Sequence, residues 1–234
     1  GAFEDVNNVD ISNNKFSGFK FNTLPAGGVP SIIRIKGSST YSKYINTVNI
    51  HSNIFSDNIK SGDENKYSNT VFNTIVANYV NNFRNSSNTF LGVNSFGSFS
   101  NIKSLNIVGN NAQQLSNTIC SINNVDGVFS DNTINGIHGN ISISNSRLVM
   151  VGNNIYNWSP HTGTIVYRSI VSLNDPEIIM SNNRFIMNDA NYSAVYINPT
   201  SSTNKQISNN IISGINSDKP TNIVYINNID TKAN

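Results

Sequence analysis

Apolar residues along this chain keep fixed distances from asparagines. The pattern apolar-x-apolar-x-x-Asn-x-apolar-x-x-apolar recurs from one end to the other. It reads VDISNNKFSGF around Asn14, VNIHSNIF around Asn53, NTIVANYVNNF around Asn78, LNIVGNNAQQL around Asn110 and GVFSDNTINGI around Asn132. LVMVGNNIYNW at Asn153, IIMSNNRFIM at Asn183 and KQISNNIISGI at Asn210 continue it, the asparagines falling 21 to 39 residues apart. Three residues before each asparagine stand Ile11, Ile50, Ile75, Ile107, Phe129, Met150, Met180 and Ile207. Two residues after it come Phe16, Phe55, Val80, Ala112, Ile134, Ile155, Phe185 and Ile212. Six residues before it, only Phe72 interrupts a polar column that includes Asp126, Arg147 and Glu177. Period-2 alternation on both sides of a fixed residue predicts two short strands meeting at a sharp turn.

Asparagine suits such a turn because it tolerates positive φ better than any other residue except glycine, so the corner is expected at the Asn itself. Stacked turns would then bring the amides to the strand spacing of about 4.8 Å, close enough to bond one another. A further strand is predicted upstream in SIIRIKG, TICSIN, NISISN, TIVYRS, AVYIN and IVYIN. The short segments, the period of two and the abundance of Asn and Ser argue against helices. The expectation is an all-β fold. More closely, it is a right-handed, single-stranded parallel β-helix, a solenoid of about eight coils with three strands and three turns in each and an Asn ladder along one edge. TLPAGGVP, with Pro25, Gly27, Gly28 and Pro30, predicts a protruding loop, and 62–68 and 84–89 are expected to be loops as well. One domain over residues 1–234 is expected, since no linker interrupts the repeat. The abrupt start, already in the repeat by Val9 after a Gly1 that looks like a cloning remnant, reads as a piece of a longer protein.

Composition sharpens this picture. The 46 asparagines and 32 serines are a third of the 234 residues, yet the regular apolar columns set the chain apart from a disordered polar tract. Charged residues are 12% and the formal net charge is +2, a poor basis for neutralising phosphates, so no nucleic-acid partner is expected. No apolar run is long enough to span a bilayer. The single cysteine, Cys120, can form neither an internal disulfide nor a thiolate cage, and reads as a small strand residue. His51 and His138 have no second ligand at a metal spacing, so neither metal nor cofactor is expected.

The repeated I-x-x-N-x-[FI] segments resemble the Asn ladder of pectate-lyase-like parallel β-helices, and the resemblance covers essentially the whole chain. That superfamily includes pectate lyases, polygalacturonases, surface adhesins and the trimeric tailspikes of bacteriophages. The lack of disulfides, the Asn and Ser content and the mid-repeat start look most like a tailspike or polysaccharide-depolymerase fragment. The resemblance implies a bacterial surface polysaccharide as partner, a virion-surface or extracellular location and a homotrimer. The superfamily's catalytic signatures do not carry over, for neither an Asp cluster for calcium nor paired Asp motifs are present. Whether the chain cleaves the glycan, as hydrolase or lyase, only binds it as an adhesin, or is a structural shaft is left open by the residues.

Two groups of residues are candidates for a glycan site. Aligning TIVYRS, AVYIN and IVYIN puts Tyr167, Tyr196 and Tyr225 in one outward column, either a sugar platform or cross-strand packing. Beside them, Asp189 and Asp218 each precede a column tyrosine by seven residues, and His161 precedes Tyr167 by six. In register the two carboxylates would suit a glycosidase acid pair; otherwise they are turn formers. Asp126, Arg147 and Glu177 form the second group, an acid–base–acid column that reads as a surface ion ladder or as a site around Arg147.

Overall fold

A computed structural model describes residues 7–18, 31–38, 44–58, 73–115, 119–137, 139–158, 169–174, 176–190, 193–198, 204–215 and 224–226. Among them the chain forms strands and turns and no helix. Its strands build one thirteen-stranded and one eight-stranded sheet, and the pairing is parallel throughout. Parallel sheets with stacked asparagine hydrogen bonds fit the β-helix expectation.

The strands fall into three ranks. Ser31–Lys36, Ile141–Ser144, Ser169–Asn174 and Ser193–Asn198 belong to the first, and Ile45–His51, Arg147–Val151, Glu177–Ser181 and Lys205–Ser208 to the second. Asn73–Ser86, Gly97–Val108 and Cys120–Ser130 run through both, joining them into one sheet. These long strands bend where φ turns positive, at Tyr79 (56°), Asn101 (52°) and Asn124 (54°), and Asn145 (47°) marks the same corner one repeat later. The third rank, from Lys15–Ser17 to Ile211–Ile215, is the eight-stranded sheet.

Between the second and third ranks runs the ladder Asn14, Asn53, Asn88, Asn110, Asn132, Asn153, Asn183 and Asn210. Each backbone N–H donates to the next Oδ1 at 2.8–3.1 Å. Each Nδ2 donates to that same oxygen and, from Asn53 onward, to a carbonyl one repeat back, as Asn132 does to Ile107 at 3.0 Å. Amides buried this deeply are tolerated because donors and acceptors find partners.

Two expectations about the ladder need correction. The positive-φ residue is the one before each ladder asparagine: Asn13, Ser52, Ser87, Gly109, Asp131, Gly152, Asn182 or Asn209. Small, Asx or Gly residues turn the corner, which frees the asparagine that follows to aim its amide along the stack. Second, the third member is Asn88 and not Asn78. Asn78 sits at the first bend, where its Oδ1 accepts from Asn101 Nδ2 at 2.9 Å. The misreading has a physical source. Ile75, Val80 and Phe83 supply the apolar spacing around Asn78, whereas the true frame places buried Asn85 in the column of Ile50 and Ile107. Residues 84–89, expected to be a loop, therefore complete a strand and carry the ladder.

The core fills the space between ranks. Phe16, Phe55 and Phe90 stack with centroids 5.1 and 5.0 Å apart and rings nearly parallel. Phe96 packs on Phe90 at 4.5 Å. Cys120 is buried in a strand facing Gly97 and Ile141, where burial pushes its thiol up and keeps it protonated. The predicted loops at 25–30 and 62–68 lie outside the described residues.

Candidate functional site

The first bend aligns an outward column. Ile45 pairs with Val80, Val80 with Ile102 and Ile102 with Val125, so the preceding residues Tyr44, Tyr79, Asn101 and Asn124 stand in line. Tyr79 meets Tyr44 edge-on, centroids 5.8 Å apart at 82°. The Lys103 ammonium sits 4.7 Å from the centre of the Tyr44 ring, a cation–π contact. Further along, Asn124 Nδ2 donates to Asn101 Oδ1 at 2.7 Å, and Asn101 Nδ2 donates to the Oδ1 of Asn78, the residue before Tyr79, at 2.9 Å.

A β-bulge lies next to this bend. Val125 pairs with Ile102 but Gly127 pairs with Leu105, so the single Asp126 faces both Lys103 and Ser104. Gly127 is required there: a Cβ would fall 2.2 Å from the Leu105 carbonyl oxygen. Beyond the bulge the column of Asp126, Arg147 and Glu177 stands in register, as the spacing predicts. Arg147 Nε donates to Asp126 Oδ1 at 2.8 Å and Nη2 donates to Oδ2, a two-pronged grip. That hydrogen bonding holds the Asp126 carboxyl below the usual carboxylate range, and the nearby charge of Glu177 further favours the Arg147 cation.

Together these residues line an open groove of about 610 Å³ running across the strands, from Tyr44 and Lys103 to Arg147 and Glu177. Asn101, Asn124, Asn145 and Ser146 supply its hydrogen-bonding wall. It combines an aromatic ring, amides and an ion ladder, the equipment for holding a polar chain. Asp126 is poorly suited to donate a proton, because its arginine keeps it ionised. No trio of His, Cys, Asp or Glu able to hold a metal occurs among the described residues.

The structure distributes the other sequence candidates differently. Tyr196 pairs with Tyr225 in the following repeat and with Ser172 in the preceding one. The first-rank strand of that preceding repeat is Ser169–Asn174, so TIVYRS is displaced from the expected alignment. The register column therefore runs Ser121, Ser142, Ser172, Tyr196, Tyr225. Tyr167, His161 and Asp218 lie outside the described residues, and so does His138. Asp189 falls in the strand Arg184–Ala190, where the register shifts against Ile211–Ile215. His51 Nε2 lies 3.4 Å from Asp10 Oδ2, the histidine half-buried and the aspartate exposed.

Sequence reasoning missed Tyr44, Tyr79 and Lys103. Counting back nine residues from Asn53, Asn88 and Asn110 finds Tyr44, Tyr79 and Asn101, but the frame centred on Asn78 hid that column. No helix of the described residues is long and apolar enough to cross a membrane. No protein-family model, curated protein or solved structure matches the chain.

Proposed function

We propose that the three ranks close into a right-handed solenoid of about eight coils whose outer groove recognises a bacterial surface polysaccharide. The repeat's likeness to tailspike β-helices supplies the class of partner and the extracellular or virion-surface setting. The observation that carries the reading is the alignment, across successive strands, of Tyr44, the Asn101–Asn124 amides and the Asp126–Arg147–Glu177 column in one groove. Aromatic rings pack against the apolar faces of pyranoses, while amides and fixed charges bond hydroxyls in defined directions. A sugar polymer laid along the axis would meet a further polar or aromatic group at each strand spacing of about 4.8 Å.

Binding without cleavage is the favoured form. Asp126 in the groove is locked to Arg147 and ionised, so it does not serve as the proton donor that glycosidic cleavage requires. The test is to incubate the chain with a panel of bacterial capsular and wall polysaccharides, measuring both binding and products. Saturable binding is expected, with no new reducing ends or unsaturated uronates, and Tyr44→Ala should weaken it by about 1 kcal/mol. Asp189→Asn and Asp218→Asn should leave binding intact. Products released by wild type and lost in either variant would overturn the binding-only reading in favour of that acid pair. A panel with no binder would overturn the glycan reading itself.

A further inference from the structure

Resting on the reading of the groove as a glycan site, we infer that it selects an uncharged glycan carrying N-acetyl groups. The groove's charges are already matched. Among the described residues that line it, Lys103 and Arg147 stand against Asp126 and Glu177, which sum to zero. Neither cation is idle: the Lys103 ammonium rests over Tyr44 and the Arg147 guanidinium holds both oxygens of Asp126. A polyuronate would have to pull one of them from its partner and would set its own carboxylates beside Asp126 and Glu177. Neutral sugars meet no such opposition.

The bend column then says which neutral sugar fits. A primary amide has two N–H donors and a carbonyl with two lone pairs. Asn101 uses one N–H to donate to Asn78 and one lone pair of its Oδ1 to accept from Asn124 Nδ2, so one N–H and one lone pair of its amide are left for a ligand. An acetamido substituent is itself a secondary amide, with one donor and one acceptor, and can join the ladder as a further member. A lone hydroxyl donates and accepts through one oxygen, so it cannot match the separated N–H and C=O of a side-chain amide as an acetamido group can. The acetyl methyl and the apolar face of the ring would lie toward Tyr44, which lines the groove and meets Tyr79 edge-on. Acetamido groups on the side of the chain that faces the column can then meet its asparagines, which recur at the strand spacing of about 4.8 Å.

The experiment is calorimetric titration of the chain with four oligosaccharides of matched length: N-acetylglucosamine, glucosamine, glucose and galacturonic acid oligomers, each at low and high salt. The N-acetylated oligomer should bind about tenfold more tightly than the glucose oligomer, the scale of one well-made amide pair. Its affinity should hardly change with salt, since no net charge is exchanged. Tyr44→Ala and Asn124→Gly should each weaken it several-fold; glycine is chosen because φ at this position is +54°. Equal affinity for the glucose and N-acetylglucosamine oligomers would overturn the acetamido assignment while leaving a glycan site. Tightest binding by the galacturonate oligomer, fading with salt and lost in Tyr44→Ala, would overturn the charge argument in the same limited way. Binding that both variants leave unchanged would overturn the groove as its location, and no binding by any of the four would remove the glycan reading with it.

Discussion

Asn88 Nδ2 donates to Asn85 Oδ1 at 2.7 Å inside the core, and the Nδ2 of that same Asn85 is buried with no hydrogen-bond partner among the described residues. Asn85 occupies a column otherwise built from residues such as Ile50, Ile107 and Phe129. It has one bond to justify a fully buried amide.

Asn85→Leu should therefore stabilise the protein. Leucine nearly reproduces the branching of asparagine and removes an unsatisfied donor, while Asn88 Nδ2 keeps its bond to the Ile50 carbonyl at 2.8 Å. A gain of about 1 kcal/mol is expected, read as a rise in Tm of roughly 2–4 °C. A lowered Tm would show that the Asn85–Asn88 bond holds the third repeat in register.

Asn132→Leu should act in the opposite direction. Asn132 Oδ1 accepts from Asn110 N at 3.0 Å, and Asn132 Nδ2 donates to the Ile107 carbonyl at 3.0 Å, all within the core. Removing the amide orphans both backbone groups, at a cost of about 2–4 kcal/mol. Urea unfolding measures the loss, and an unchanged midpoint would contradict the ladder as a stabilising device.

Gly127→Ala should be among the most damaging single-methyl additions. The new Cβ would meet backbone at 2.2 Å, and backbone in a parallel sheet cannot step aside as a side chain can. About 3 kcal/mol of destabilisation is expected, the upper end of overpacking. Gly109→Ala is the control, because nothing lies within 4 Å of its Cβ position and only the positive φ of 65° is penalised.

The Asp126–Arg147 pair predicts a pH dependence. Asp126 has a depressed folded-state pKa, so its contribution is present above the unfolded aspartate value of about 3.9 and is lost as pH falls through the lower folded value. Carbon-detected NMR of the Asp126 carboxyl should give a midpoint below that of ordinary aspartate. Arg147→Gln should return it upward toward the ordinary value. The effect on global stability should be small, because both side chains are largely exposed.

The ladder and core columns were legible in the sequence because every repeat meets the same local demand. A sharp corner followed by an inward amide calls for the same residue types each time, and alternation along a strand separates core from surface without knowledge of any partner. Asn53, Asn110 and Asn132 could thus be placed from spacing alone, and so could the register of Asp126, Arg147 and Glu177. Asn88 could not, since the buried Asn85 breaks its apolar column while Ile75 and Val80 imitate one around Asn78. The groove was decided by tertiary structure. Tyr44, Tyr79 and Lys103 become neighbours only when strands separated by insertions of unequal length are stacked. The bulge that sets Lys103 and Ser104 against the single Asp126 is a property of pairing between strands, which no one strand's sequence expresses.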